Sequence, residues 1–165
     1  MLQIKDYFTG YPSQLSVAEM FLRYGISVRD CDAYIGDIKQ ADSAISRAVG
    51  VDRRVVRSTI ERISMNPDLS ALFSKIRCIA DLSDASSILG NSAIEIVPDD
   101  DSRPGTMAGI MNILSSLDLN VRQAVVSGGE DGGKTHLVIT VEGPIPPAAL
   151  AEIRDSPGVA QVILR

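Results

Sequence analysis

A turn rich in aspartate holds the residues best suited to binding a small charged molecule. It reads Asp99-Asp100-Asp101-Ser102-Arg103-Pro104-Gly105, and a run with helical spacing follows it. Backbone N–H groups at the start of a helix lack intrahelical partners, so they suit a carboxylate. The aspartates could face an ammonium group, and Gly105 lets a ligand approach the backbone closely. The turn therefore suits a zwitterion; alternatively, Asp101 and Ser102 only cap the helix and Pro104-Gly105 only shapes the turn.

A second group of candidate residues is a cluster of arginines in the N-terminal half. Asp52 can cap a helix, and three arginines occupy the first two turns that follow it. Guanidinium groups at this position could contact phosphates or the edges of guanines. The candidate DNA-contacting residues are Arg47, Arg53, Arg54, Arg57 and Ser58. The alternative is a solvated arginine face on a small helical domain, which Asp52 and Glu61 partly neutralise.

The remaining reactive residue types do not form a catalytic or metal-binding pattern. His136 is the single histidine and lies in a strand-like run without a nearby nucleophile motif. Cys31 and Cys78 are far apart and outside any CxxC motif, which indicates two buried or neutral thiols. We therefore expect no metal site, no cofactor and no enzymatic activity.

Residues 128–135 match the P-loop pattern G-x-x-x-x-G-K-[ST]. A P-loop must lead into a helix, whose N-terminus holds the phosphates. Here a run of β-branched residues follows from Thr135 to Val141, which predicts a strand. Glu130 and Asp131 would also repel phosphate, so we interpret the segment as the tip of a hairpin.

Length and charge indicate two modules. The 165 residues allow one mid-sized domain or two small ones, and 45% of them are hydrophobic. Residues 1–90 hold 11 basic and 11 acidic side chains, while residues 91–165 hold 5 and 10 and carry the whole net charge of −5. No apolar run reaches the length of a membrane span, and the N-terminus resembles no signal peptide. We expect a cytoplasmic protein.

Hydrophobic periodicity predicts a helical N-terminal half. Ser16-Val17-Ala18-Glu19 fits a capping box, and residues 26–39 fit either a short hairpin or a second short helix. Asp42 can cap the next helix, Gly50 ends it, and Asp52 begins another with Val56, Ile60 and Ile63 on its inner face. The segment from helix to turn to helix resembles a helix-turn-helix, so we expect a domain of this type over residues 1–65.

The period changes after a predicted helical linker over residues 66–92, in which Pro67 begins a helix. From Ala93 onward the order of elements is βαββαβ, the ferredoxin-like split-βαβ motif. The expected fold class is therefore α+β, with a helical domain followed by a ferredoxin-like domain over residues 93–165.

The C-terminal half resembles the ACT domain, a βαββαβ regulatory module that binds amino acids or similar small effectors. The resemblance rests on the Asp-Ser-Arg-Pro-Gly turn at 101–105, a helix of about four turns, and Asp118-Leu119-Asn120-Val121 entering the second strand. By position, the resemblance implies ligand contacts at Ser102 and Asn120, with Asp100 near. The complete set of candidate ligand-binding residues is Asp100, Asp101, Ser102, Arg103, Gly105 and Asn120.

The whole chain resembles small prokaryotic proteins predicted to regulate amino-acid metabolism, with a helix-turn-helix-like region before an ACT domain. The resemblance implies a homodimer that binds an amino acid or similar effector in one half and DNA in the other. The alternative is a regulatory subunit that does not bind DNA and docks on a biosynthetic enzyme. A basic surface around residues 47–57 would favour DNA, whereas an exposed apolar surface would favour a protein partner.

Overall fold

Two separate hydrophobic cores divide the chain into an N-terminal unit, Met1–Ala80, and a C-terminal unit, Asp81–Arg165. The structure is a computed structural model that describes residues 3–100, 104–128 and 135–165. None of the helices in these ranges combines the length and the apolar character needed to cross a membrane.

The N-terminal unit combines helices with a small antiparallel meander. Its elements are α1 (Ile4–Tyr7), α2 (Pro12–Arg23), β1 (Ser27–Arg29), β2 (Asp32–Ile35), β3 (Ile38–Lys39), α3 (Asp42–Val49), α4 (Arg53–Met65) and α5 (Pro67–Phe73). The strands pair in the order β1-β2-β3. The structure thus has the hairpin, and not the helix, of the two alternatives for residues 26–39.

The inner face of α4 is the centre of the N-terminal core. Val56, Ile60 and Ile63 are fully buried, as their spacing predicts. They share a cluster with Phe21 of α2 and Phe73 of α5. Asp52 caps α4 by accepting the N–H of Arg54 at 2.7 Å, which confirms the predicted start of this helix.

Two of the predicted helix starts are wrong. α2 begins at Pro12, whose fixed φ suits the first helical position, so Ser16 lies inside the helix and donates to the carbonyl of Pro12. The N-cap of α3 is Ala41, and Asp42 makes no cap. The carboxylate of Asp42 instead accepts hydrogen bonds from Arg57 at 2.9 and 3.1 Å.

The C-terminal unit has the predicted order of strands and helices. Its elements are β4 (Asn91–Pro98), α6 (Thr106–Ser116), β5 (Val121–Ser127), β6 (His136–Glu142), α7 (Pro147–Arg154) and β7 (Val159–Leu164). The sheet order is β5-β6-β4-β7, and every neighbouring pair is antiparallel. This arrangement confirms the ferredoxin-like topology.

One face of this sheet packs against α6 and α7. Side chains alternate between the two faces of a strand, and the apolar cluster under the helices follows that rule. The buried cluster comprises Ile94, Ile96, Leu137, Ile139 and Val141 from the strands and Ile110, Leu114 and Ile153 from the helices.

Residues 81–90, which we call the strap, lie on the opposite face of the sheet. The N–H of Leu82 donates to Gln123 Oε1 of β5 at 3.0 Å, and Asp84 pairs with Arg165 after β7 at 3.0 Å. Because β5 and β7 are the two outer strands, the strap crosses this face of the sheet. Dimerisation through this face would therefore meet the strap.

The strap forms turns and not the helix predicted there. Asp81 accepts the N–H of Ser83 at 2.9 Å, and such local bonds compete with helix formation. The preceding part of the predicted linker contains α5, whose Leu69 is fully buried in the N-terminal core.

An ion-pair cluster lies at the edge of the strap. Glu95 of β4 is 9% exposed. It accepts two hydrogen bonds from Arg165, at 2.7 and 3.0 Å, and its other oxygen lies 2.7 Å from Nδ1 of His136. The hydrogen bonds from Arg165 are the main reason why the pKa of Glu95 is lowered. His136 thus occupies a sheet position, as predicted.

Candidate functional site

A cavity of about 180 Å³ lies between the helix-facing side of the sheet and the first turn of α6. Ile96, Leu137 and Val126 form its floor, from three neighbouring strands. Leu137 pairs directly with Ile96 on one side and with Val126 on the other. The floor is therefore a continuous row of apolar side chains.

The rim of the cavity is more polar than its floor. Asp100 and Thr135 border it, together with the segment Gly105-Thr106-Met107 at the start of α6. Two of the predicted ligand-binding residues, Asp100 and Gly105, thus lie at the same cavity. An apolar floor under a rim with a few polar groups is typical of a small-molecule site.

The start of α6 contributes backbone donors to this rim. Its N-cap residue is Gly105, which has φ +97° and no side chain with which to cap the helix. A Cβ added at Gly105 would meet open space, so the approach to the backbone is clear. The N–H groups of the first helical turn therefore favour an anionic group such as a carboxylate.

Close packing fixes the position of Thr106 at the rim. Its Oγ1 is buried and has no hydrogen-bond partner among the residues the structure describes. A Cβ added at Gly158 would lie 2.3 Å from this oxygen. The carbonyl of Gly158 also accepts the N–H of Asp99 at 3.1 Å. The turn before β7 thus supports both the start of α6 and the end of β4.

The structure does not bring Asn120 to the cavity within one chain. Asn120 precedes β5 and donates to Glu142 Oε2 at 3.2 Å, while Val126 lies near the other end of β5. Six residues of extended strand separate the two positions by about 20 Å. The candidates Asp101, Ser102 and Arg103 lie outside the described residues, as does most of the P-loop-like segment, including Lys134.

The N-terminal arginines differ in how firmly they are held. Arg57 donates to Asp42, lies 3.5 Å from Asp32, and donates to the carbonyl of Cys31 at 2.7 Å. This bonding connects α4 to α3 and to the meander. Lys39 also contacts Asp32, and its hydrogen bond is the main reason why the pKa of Asp32 is lowered.

The other candidate residues of this unit fall into two groups. Arg47, Arg53 and Arg54 are exposed to solvent. Ser58 is partly buried, donates to the carbonyl of Val55 and accepts from Gln14 of α2. Ser58 therefore contributes to packing between α2 and α4.

The surface formed by α3 and the first turns of α4 carries small side chains and arginines. All residues from 42 to 57 are described, and no large hydrophobic side chain among them is exposed. The exposed positions are Ser43, Ala44, Arg47, Ala48, Gly50, Asp52, Arg53 and Arg54. Ala44 and Ala48 lie on this surface and not in the core.

The two cysteines are exposed free thiols, so they are not buried, which was one of the two alternatives expected for them. Cys31 has φ +57° in the turn between β1 and β2, where a side chain points to solvent. The sequence predicts Ile96, Val126 and Leu137 only as strand residues, so it does not reveal that they line the cavity.

No family model matches the sequence. No curated protein matches it either. Some solved structures share part of the fold. The ACT domain of GTP pyrophosphokinase from Chlorobium tepidum is 20% identical, with a TM-score of 0.36 over 46% of this chain and 96% of that chain. The regulatory subunit of aspartate kinase from Thermus thermophilus is 22% identical, with a TM-score of 0.37 over 47% and 51%.

Another solved structure is similar over most of the chain. An AsnC family transcriptional regulator from Agrobacterium tumefaciens is 9% identical, with a TM-score of 0.31 over 93% of this chain and 86% of that chain. The solved structures that resemble about half of this chain thus include ACT domains.

Proposed function

We propose that this protein is a ligand-responsive regulator of amino-acid metabolism. Its C-terminal unit binds an amino acid or similar effector, and its N-terminal unit binds DNA. The observation that carries the proposal is the cavity beside the Asp-rich turn, because it combines an apolar floor with Asp100 and the first turn of α6.

The cavity suits both ends of an amino acid. The N–H groups at the start of α6 suit its carboxylate, and the carboxylate of Asp100 suits its ammonium group. The floor of Ile96, Val126 and Leu137 suits an apolar side chain. These three features support the effector part of the proposal.

A thermal-shift screen of the full chain against the twenty amino acids tests this part. A ligand at a hundredfold excess over its Kd stabilises the folded state by about 2.7 kcal/mol. We expect at least one amino acid to raise the unfolding temperature and Gly105→Val to abolish that rise by filling the approach to the backbone. If no amino acid shifts the unfolding temperature at millimolar concentration, the effector proposal fails.

The small basic surface of α3 and α4 supports the DNA part of the proposal. Arg47, Arg53 and Arg54 are exposed, so they can reach phosphates or base edges. Ala44 and Ala48 are also exposed, and their short side chains would let the helix approach the DNA backbone. Arg57 acts here as a positioning residue, because its guanidinium is already bound to Asp42.

Fluorescence anisotropy with DNA upstream of the protein's own gene tests DNA binding. Each phosphate contact contributes about −0.9 to the log–log salt slope, so six contacts in a dimer would give about −5. Replacing Arg47, Arg53 and Arg54 with alanine should greatly weaken binding between 50 and 200 mM salt. If the triple variant binds as well as the parent, the assignment of this surface is wrong.

A different surface of the N-terminal unit favours the alternative of a subunit that docks on an enzyme. Tyr11 is 48% exposed and Met65 is 81% exposed. The guanidinium of Arg62 lies 3.9 Å from the centre of the Tyr11 ring. Aromatic, methionine and arginine side chains are enriched at protein interfaces. Absence of DNA binding at 50 mM salt, with and without an effector, would make this alternative the first choice.

We also propose that the protein is a homodimer. Among the described residues, β5 and β7 are the two outer strands of this sheet, and pairing with a second copy would extend it. Light scattering at micromolar concentration should give about twice the chain mass of 17.6 kDa. A measured mass equal to that of one chain would contradict the dimer.

A further inference from the structure

The two outer strands of the C-terminal sheet differ in how well they are protected against pairing. β5 carries the side chain of Arg122, which is 56% exposed, and its register with β6 shifts between Val121 and Gln123. Charged side chains and an irregular register discourage pairing at the edge of a sheet. β7 contains no charged residue, and its Leu164 is 59% exposed. β7 is therefore the outer strand that is better suited to pairing with another strand.

We infer that two copies of this chain pair in antiparallel fashion along β7, with a two-fold axis at Ile163. The inference rests on the proposed homodimer for the statement that a dimer forms, and it names the surface that forms it. The pairing joins the two four-stranded sheets into one continuous sheet. It takes place at the edge of the sheet, so it does not displace the strap from the face.

The backbone of β7 determines which residues face the outer edge. β7 pairs with β4 in regular register from Gln161 to Leu164, and the N–H of Arg165 donates to the carbonyl of Ala93 at 2.9 Å. Along an antiparallel strand, successive residues direct their backbone groups to opposite sides. The N–H and carbonyl groups of Val162 and Leu164 therefore point away from β4, where no strand of the described residues pairs with them.

A two-fold axis at Ile163 uses the backbone groups of both residues. Val162 of one copy then lies opposite the partner's Leu164, and the two residues exchange a pair of hydrogen bonds. The axis repeats this pair on its other side. An axis at Val162 would instead use Ala160, which is the extra residue where the register between β4 and β7 shifts. The regular part of β7 thus favours the axis at Ile163.

The side chains of β7 are complementary to those of a second copy in this register. Leu164 pairs with the buried Ile94, so Leu164 and Val162 lie on the helix-facing side of the sheet. Across the axis they form cross-strand pairs of apolar residues. On the opposite side, Ile163 is 37% exposed and meets the partner's Ile163. Because no like charges face each other, the strand fits a second copy of itself.

A groove beside β7 enlarges this contact surface. It has a volume of about 250 Å³ and lies between β7 and α7, and it is lined by Pro147, Leu150, Ala151, Arg154, Val162 and Leu164. The four residues of α7 share one face of the helix because of their spacing. A stable dimer buries about 800 Å² per partner, which is more than a single edge strand provides. The apolar side of α7 supplies further area next to the paired strands.

Disulfide cross-linking of the full chain tests the position of the axis. Cys31 and Cys78 are first replaced with serine, because both are exposed free thiols, and Ile163→Cys is then introduced. Residues that face each other at the axis have Cα atoms about 4.5 Å apart, within the range of a disulfide. We expect diamide, which accepts the two electrons and two protons of the paired thiols, to convert this variant to a covalent dimer.

Gln161→Cys in the same background is the matched control. Gln161 is exposed, and it lies on the same side of β7 as Ile163. Across the inferred axis its two copies are about 13 Å apart, which a disulfide cannot span. Ile163→Cys should therefore form the covalent dimer at least about tenfold faster than Gln161→Cys.

Leu164→Lys tests the same edge without a covalent bond. Lysine on an edge strand opposes pairing, and the exposed position of Leu164 lets the variant fold. Analytical ultracentrifugation should show that its dimer dissociation constant is at least about tenfold higher than that of the parent. Val121→Lys is the control on β5, because Val121 is 39% exposed on the other outer strand, and it should dimerise like the parent.

The outcomes separate this inference from the proposed homodimer. If Ile163→Cys and Gln161→Cys cross-link at equal rates, or if Leu164→Lys dimerises like the parent, β7 is not the interface, while the homodimer stands. If the parent sediments as a single chain at high micromolar concentration, the homodimer and this interface both fail. Leu164→Lys decides the test even if Ile163→Cys fails to fold.

Discussion

Replacing Gly158 with alanine would test the close contact that positions the start of α6. Gly158 has φ +91°, and a Cβ there would lie 2.3 Å from Thr106 Oγ1. An L-residue in the left-handed region costs about 1–2 kcal/mol. Forcing extra atoms into a packed contact costs about 1–3 kcal/mol more. We therefore expect Gly158→Ala to lower the free energy of unfolding by about 2–5 kcal/mol.

Gly143→Ala is the matched control for this experiment. Gly143 has φ +75°, and a Cβ there would meet nothing within 4 Å. The control should therefore lose only the backbone part, about 1–2 kcal/mol. Urea denaturation followed by circular dichroism gives both values, and the double variant Gly158→Ala/Thr106→Ala should recover part of the difference. Equal losses for Gly158→Ala and Gly143→Ala would refute the reasoning.

Three further predictions concern stability. Arg165 lowers the pKa of Glu95, so the ionised carboxylate of Glu95 stabilises the fold above its unfolded pKa of about 4.3, and this stabilisation is lost as the pH falls through the lower folded pKa. The urea midpoint should therefore fall less steeply with decreasing pH for Arg165→Met than for the parent. An equal fall in both proteins would contradict the pairing. Arg57→Lys keeps the charge but loses the bidentate hydrogen bonds to the carboxylate of Asp42, so calorimetry should show a lower unfolding temperature for the N-terminal unit. An unchanged unfolding temperature would contradict the importance of that contact. Gly25→Ala should destabilise the N-terminal unit more than Gly50→Ala, because a Cβ at Gly25 would lie 2.5 Å from the carbonyl oxygen of Arg77 while Gly50 faces open space; similar losses in urea denaturation would show that the Gly25 contact is not tight.

The order of the C-terminal elements could be predicted because local patterns determine it. The apolar and β-branched runs at 93–97 and 136–141 predict strands, and the structure has strands there. The interpretation of residues 128–135 depended on the same pattern, because a strand and not a helix follows Thr135. The βαββαβ order then leaves few topologies, of which the ferredoxin-like sheet is one.

The strap could not be predicted, because tertiary contacts decide its conformation. Residues 81–90 contain apolar side chains at helical spacing, but their backbone and side chains bond across the sheet to Gln123 and Arg165. These partners lie far along the chain, so a local pattern does not reveal them. The same holds for Arg57, whose partners Asp32 and Asp42 come from two other elements.

Only the polar rim of the candidate ligand site, and not its apolar floor, could be predicted from the sequence. The turn before α6 could be recognised from its residue types, and Asp100 and Gly105 indeed line the cavity. The floor was missed, because an apolar residue of a strand has the same sequence signal whether a helix or a cavity faces it. Asn120 was placed by resemblance alone, and the structure puts its side chain on Glu142.

An NMR titration of the isotope-labelled full chain with the amino acid that most raises the unfolding temperature tests most directly whether the cavity is the effector site. We expect the amide resonances of the cavity to move, namely those of Ile96, Thr106, Met107, Val126 and Leu137. The resonance of Leu69 in the N-terminal core should stay in place. A titration in which no resonance moves at millimolar concentration of that amino acid, or in which the cavity amides are unaffected while others shift, would contradict the proposed effector site.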